Sequence, residues 1–233
     1  PPFPQLYSYS SEEADIGNSE GESEMKVHLS FFYRALARSL KPGRVAIIHI
    51  SQIPRMKRTG GEGLADFRGT NIRLAERAGL VYEYDWLVRK NPQAQAIRTR
   101  SRELQFAGLK KDRANCRGAL CDYLIKFLAP GDNQTPVNNE GEITTDTWID
   151  WAEGHWTDIT ETDVLQIKGT KDPEDTKHIC PLQLEVYRRS ITLFTNPREL
   201  VFDPFAGIGS CGYVCRGGAS PVTHQRLRYK RRF

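Results

Sequence analysis

The amino-acid sequence predicts an α/β fold with a permuted strand order, on three observations. Helical and strand patterns alternate through the first ninety residues. An unbroken apolar run, "RVAIIHI" at 44–50, has the composition of a buried parallel strand. A strand, a glycine turn and a helix start, "VFDPFAGIGSCGYV", occupy 201–214 of 233 residues. Beyond that stretch there is only a short basic tail, so the sheet served by the turn has to come from the residues before it. The strand leading into the turn is therefore expected last in sequence and central in space.

Taken in order, "SEEADIGNSEGESE" (11–24) is polar and acidic and reads as a loop. In "EMKVHLSFFYRALARSLKPG", Val27, Phe31, Ala35 and Leu36 recur at helical spacing, and Pro42-Gly43 stops the helix. After the strand at 44–50, "QIPRMKRTGGEGLADF" (52–67) is glycine-rich and basic, hence a loop. "RGTNIRLAERAGL" (68–80) is a second helix ending near Gly79, and "VYEYDWLVRK" (81–90) a second strand. "LQFAGLKK" (104–111) and "CDYLIKFLAPG" (121–131) read as two more strands, adjacent and antiparallel. Residues 131–176 read as irregular and acidic and carry Trp148, Trp151 and Trp156, expected as packing anchors rather than ligand contacts. "CPLQLEVYRRSITLFTNPREL" (180–200) is a helix with Leu184, Tyr187, Ile191 and Phe194 on one side, and "LVFDPF" is the strand before the turn. The whole reads as one domain, 1–233, with the acidic segment 131–176 and a basic tail, 215–233.

Composition narrows the class. Hydrophobic residues are 39% and charged residues 27%, as in a globular core-bearing protein. No apolar run approaches the ~20 residues of a membrane span, and "PPFPQLYSYS" lacks the basic and apolar regions of a signal peptide. Five cysteines, an odd number without a disulfide framework, suit a reducing, cytoplasmic location. Cys116 and Cys121 have no matching pair at zinc spacing, so no metal is expected. Charge is segregated. Nine Lys/Arg against two acids lie between Trp86 and Arg117, twelve acids against two lysines between Gly131 and Thr176, and six Lys/Arg with no acid after Cys215. Basic segments of this kind suit a polyanion, or simply a solvated face.

Gly207-x-Gly209-x-x-Gly212 matches a dinucleotide fingerprint literally. That reading also requires an acid about twenty residues on to hold a ribose, and no Asp or Glu follows Asp203. A nucleotide-dependent oxidoreductase is disfavoured for that reason. "DPFAGIGS" instead resembles motif I of the amino-methylating DNA methyltransferases, the N6-adenine and N4-cytosine family. "KHICPLQLEVYRRSITLFTNPRELVFDPFAGIGS" (177–210) resembles that family's motif X running into motif I. "PPFPQLYSYS" resembles its motif IV, (Asp/Asn/Ser)-Pro-Pro-(Tyr/Phe/Trp), entered one residue late. Motif IV first and X-then-I last is the order of the permuted β group, which accounts for a terminal glycine turn.

The resemblance implies a Rossmann-like S-adenosylmethionine-dependent sheet, circularly permuted, acting on double-stranded DNA, with a restriction endonuclease as a companion. The target base is flipped from the duplex. Pro1 and Pro2 would shape the turn that holds its amino group, and Phe3 would stack on it, the alternative for Phe3 being a core or loop aromatic. Asp203, Pro204, Phe205, Gly207 and Gly209 would hold S-adenosylmethionine, although Asp203 can also serve as a plain cap. His178, Cys180, Pro181 and Leu182 would lie near its methionine part. Lys57 and Arg58 would sit on a DNA-contacting loop. Arg98, Arg100 and Arg102, alternating on a strand or extended loop, would touch phosphates or face solvent.

Two departures stand out. The polar residue expected before the Pro-Pro pair is absent, and after Val214 "CRGGASPVTHQRLRYKRRF" offers neither the family's next helix nor a strand ending in a ribose-binding acid. The sequence therefore reads as a fragment, expected to bind S-adenosylmethionine weakly and to show little activity. A non-catalytic remnant that only binds DNA is the competing expectation.

Overall fold

The computed structural model describes residues 1–2, 15–55, 62–99, 106–138, 143–165, 181–217 and 228–229. Its elements follow in chain order. Helix α1 (Glu22–Ser39) leads into β1 (Val45–Ser51), and a small hairpin of β2 (Ile53–Pro54) and β3 (Leu64–Ala65) precedes α2 (Phe67–Arg77). Then come β4 (Val81–Val88), α3 (Pro92–Thr99), α4 (Phe106–Lys111) and β5 (Asp122–Leu128). Next are α5 (Thr145–Ala152), β6 (His155–Trp156), α6 (Leu184–Phe194), β7 (Leu200–Val201), α7 (Ser210–Cys215) and β8 (Arg228–Tyr229).

The main sheet has the order β1-β5-β4-β6. β5 is antiparallel to both β1 and β4, and β6 runs parallel to β4. The apolar run at 44–50 is thus a strand, but an antiparallel one. The reason lies in its coverage. Ala46, Ile48 and Ile50 face a core with Met25, Leu29, Tyr33 and Leu36 of α1 and with Phe67 and Ala75 of α2. Ile47 points the other way, into a second core of Trp86, Val88, Leu124, Trp156, Ile159 and Val186. A strand covered on both faces needs no polar alternation whatever its direction. Burying each large apolar side chain of α1 contributes about 1.5–3 kcal/mol.

Five expectations are corrected. In α1 the buried face is Met25, Leu29, Tyr33 and Leu36, while Val27 and Phe31 are 54% and 63% exposed. The Tyr33 hydroxyl donates to Asn71 Oδ1 at 2.7 Å, and that buried contact with α2 selects the face turned inward. Residues 106–111, expected in a strand, form α4, whose last-turn lysines suit the negative end of a helix. Arg98 lies in α3, not in an extended segment, because Asn91 caps that helix through Oδ1. The segment 131–176 includes α5, capped by Thr144. The strand before the glycine turn, expected to be central, is β7, which pairs in parallel with β8 of the tail. Among the described residues β7 pairs with β8 and not with the main sheet. Its ladder ends after two residues, because Pro204 has no N–H and the Asp203 carboxylate takes that of Phe205.

Tryptophans cluster on one side of the sheet. Trp86 and Trp156 lie 5.8 Å apart, and both indole N–H groups donate to the Trp151 carbonyl. The Arg189 guanidinium of α6, 6% exposed, stacks over Trp151 and Trp156 at 5.5 and 5.0 Å and pairs with Asp158 and Glu185. No helix among the described residues is long and apolar enough to cross a membrane.

Candidate active site

β7 delivers the chain into the turn Asp203–Gly209, and α7 carries it away. Asp203 Oδ1 accepts the Phe205 N–H at 3.0 Å, closing a local Asx turn. Gly207 and Gly209 have φ of +50° and +91°, a region that L side chains rarely adopt. A Cβ at Gly209 would meet nothing within 4 Å, so the backbone is open to a ligand on that side. Phe205 packs on Phe32 of α1, with ring centroids 4.9 Å apart.

Two polar atoms of the turn are left unused. Asp203 Oδ2 and Ser210 Oγ are buried without hydrogen-bond partners. Burial pushes the Asp203 carboxyl above the usual carboxylate range, while the Phe205 N–H and the Tyr187 hydroxyl pull it back. A buried acid with one oxygen free is costly unless a donor completes it. Beneath the turn, Cys211 and Cys215 are buried with Ile191, and Tyr187, Val201 and Val214 pack around them. The Cys215 sulfur, then burial, push the Cys211 thiol up.

The Pro1 nitrogen lies within electrostatic reach of Asp203, and Pro1 and Pro2 are both half-buried. Leu182 packs in the second core, and the half-buried Pro181 precedes it. Phe3, His178, Cys180, Lys57, Arg58, Arg100 and Arg102 lie outside the described residues, and Arg98 is described only as part of α3.

A second polar cluster was not anticipated from the sequence. Asp122, at the start of β5, is 7% exposed. Its Oδ2 meets His49 Nε2 at 2.8 Å and Lys90 Nζ at 2.7 Å, at the ends of β1 and β4. Burial alone would raise the Asp122 carboxyl, but His49 and Lys90 outweigh it and hold the value below the usual range. Lys90 also reaches Gln183 Oε1 at 3.4 Å, the cap residue of α6. The available signal was an acid opening the otherwise apolar "DYLIKFL", which requires a charged partner. Tyr187 had no such signal, since its spacing marked it only as a packing residue. Among the described residues no group of three or more His, Cys, Asp or Glu could hold a metal ion.

Residues 7–217 match the family model of the N6/N4 methyltransferases, described as DNA methylase. The chain belongs to that family, whose methyl donor is S-adenosylmethionine. Among solved structures it is similar to TTHA0409 of Thermus thermophilus, assigned as a DNA modification methylase and complexed with S-adenosyl-L-methionine. That match has 16% identity and a TM-score of 0.61, over 84% of this chain and 69% of that one. It is also similar to PvuII DNA methyltransferase (cytosine-N4-specific), at 17% identity and a TM-score of 0.61, over 94% of this chain and 69% of that one. In the selenomethionine form of TTHA0409 the matched share of that chain is 66%, so this chain spans about two thirds of its solved relatives. At such identities the likeness establishes the fold, a Rossmann-like methyltransferase sheet. No curated protein matches the chain.

Proposed function

We propose that this chain is a single catalytic domain that moves a methyl group from S-adenosylmethionine to the exocyclic amino nitrogen of adenine (N6) or cytosine (N4) in double-stranded DNA. The observation that carries the reading is the half-buried Asp203 carboxylate, its buried Oδ2 unpaired, beside an open glycine turn and the opening prolines. S-adenosylmethionine fits this turn, because its ammonium and hydroxyl donors match the free Asp203 Oδ2 and Ser210 Oγ. When bound, it supplies an electrophilic methyl group on a sulfonium sulfur. Asp203 holds a donor of the cofactor, and Gly207 and Gly209 let the backbone approach it. Pro181 and Leu182, with His178 and Cys180, form its methionine side. The Pro1-Pro2 turn accepts hydrogens of the target amino group and orients its lone pair, and Phe3 stacks on the flipped base. Rate enhancement is then mainly positioning and electrostatics. Lys57, Arg58, Arg98, Arg100 and Arg102 hold the duplex through its phosphates. A cytoplasmic location and a companion restriction endonuclease go with that role.

A second reading is a remnant that binds DNA without transfer, a role that needs only basic surface such as the Lys/Arg-rich stretch between Trp86 and Arg117. Transfer of labelled methyl from S-adenosylmethionine to duplex DNA separates the two. Incorporation supports the enzyme, whereas salt-dependent retention of DNA with no incorporation supports the remnant.

A further inference from the structure

Beyond the ends of β4 and β6 lies an open cleft of about 190 Å³, lined by Arg89, Asn91, Thr157, Ile159 and Glu161. It is smaller than the roughly 300 Å³ at which small-molecule pockets begin, so it does not suit a whole cofactor. Its unused groups define what it can take. The exposed Arg89 guanidinium has no ion-pair or hydrogen-bond partner among the described residues. Asn91 spends its Oδ1 on the N–H groups of Gln93 and Ala94, leaving its amide NH₂ as a donor. Glu161 spends Oε1 on the Asn91 N–H, leaving Oε2 as an acceptor. The Thr157 hydroxyl can do either. Ile159, 8% exposed, is an apolar floor.

Donors and a carboxylate acceptor in one cleft of zero net charge disfavour a phosphate, which free cations alone would hold better. They complement a base edge. In the major groove guanine offers two acceptors to an arginine, and its cytosine partner offers an N4 donor to a carboxylate. Gln183 ties the cleft to the Asp122–Lys90 cluster, accepting from Lys90 while its amide donates to the Glu161 carbonyl at 3.5 Å.

We propose that Arg89 and Glu161 read a G·C pair of the DNA site through its major-groove edge, making this cleft a determinant of sequence specificity. The inference rests on the DNA-methylating reading above. By contrast, Lys110, Lys111 and Arg113, exposed on α4 and the turn after it, are suited to phosphate contact.

The test is selection of a randomised duplex pool retained by the full chain, compared with Arg89→Ala and Arg113→Ala. Both side chains are exposed, so circular dichroism of the variants is expected to match the parent. Arg89→Ala is expected to erase a G·C preference at one position by about tenfold while leaving the salt dependence of retention nearly intact. Arg113→Ala is expected to weaken retention of all sequences and to lower the salt slope by about one. An unchanged preference in Arg89→Ala, or a uniform loss like that of Arg113→Ala, overturns this inference and leaves the methylating reading standing. Failure of the unaltered chain to retain any duplex overturns both.

Discussion

Asp122→Asn removes one charge from a buried cluster while keeping its shape. The wild-type carboxylate is 9% exposed, and its ammonium partner Lys90 is 12% exposed at 2.7 Å. His49, the other partner, is 29% exposed. Breaking a buried pair by neutralising one side costs about 3–5 kcal/mol, because the remaining charge stays buried without compensation. Gln183 Oε1, at 3.4 Å from the ammonium, offers only weak relief, and the partial exposure of His49 places the expected cost near the lower bound, about 3 kcal/mol. For a domain of this size that corresponds to a Tm lower by about 6–12 °C, read by thermal unfolding at pH 7. The pH dependence has a definite sign. The folded pKa of Asp122 lies below its unfolded value, so the stabilisation is complete above the ordinary carboxylate range and is lost as pH falls through the folded value. The gap between wild type and variant therefore narrows below about pH 4. Adding Lys90→Met to Asp122→Asn removes the stranded charge and is expected to recover most of the loss. A Tm gap under about 2 °C at pH 7, or one that widens on acidification, refutes the reasoning.

The other predictions concern the turn, a loop contact and the outer face of α2. In Asp203→Asn the Tm at pH 7 is expected to hold or rise, because burial raises this carboxyl and the wild-type fold loses stability as pH climbs from the unfolded to the folded pKa. Its affinity for S-adenosylmethionine, measured by calorimetry, is expected to fall about tenfold or more with the loss of a charge-assisted bond; a lower Tm with unchanged affinity contradicts both roles. Gly43→Ala places a Cβ 2.4 Å from the Asn133 backbone nitrogen at φ +69°, so the urea midpoint is expected to drop by the equivalent of about 2 kcal/mol with an unchanged m-value. Arg68→Met strips the fork that holds Asp85 at 2.6 and 3.0 Å and the Tyr82 hydroxyl at 2.8 Å. A loss of about 2 kcal/mol is expected, together with a rise in the Asp85 carboxyl titration seen by NMR.

How much was legible depended on whether the deciding contact was local. Pro42-Gly43 ended α1, and the patterns at 44–50 and 81–90 marked β1 and β4, because caps and apolar runs are written in neighbouring residues. α1 carries two apolar stripes, and only its packing on α2 through Tyr33 and Asn71 decides between them. The run "LQFAGLKK" is too short for periodicity to separate strand from helix. In the candidate site, the glycine turn and the opening prolines were legible as patterns. The unpaired Oδ2 of Asp203, the Tyr187 hydroxyl near that carboxyl and the Arg89 cleft depend on distant parts of the chain, so no local pattern announced them.

The gathering of tryptophans has an optical consequence. All four, Trp86, Trp148, Trp151 and Trp156, lie in β4, α5 and β6. Tryptophan emission, excited selectively, thus watches only one half of the molecule, the half that holds Arg189 and the Arg89 cleft, and has no reporter in α1 or α2. Should that half loosen first under denaturant, the fluorescence curve would run ahead of the far-ultraviolet dichroism, giving a label-free gauge of whether the two sides of the sheet come apart together.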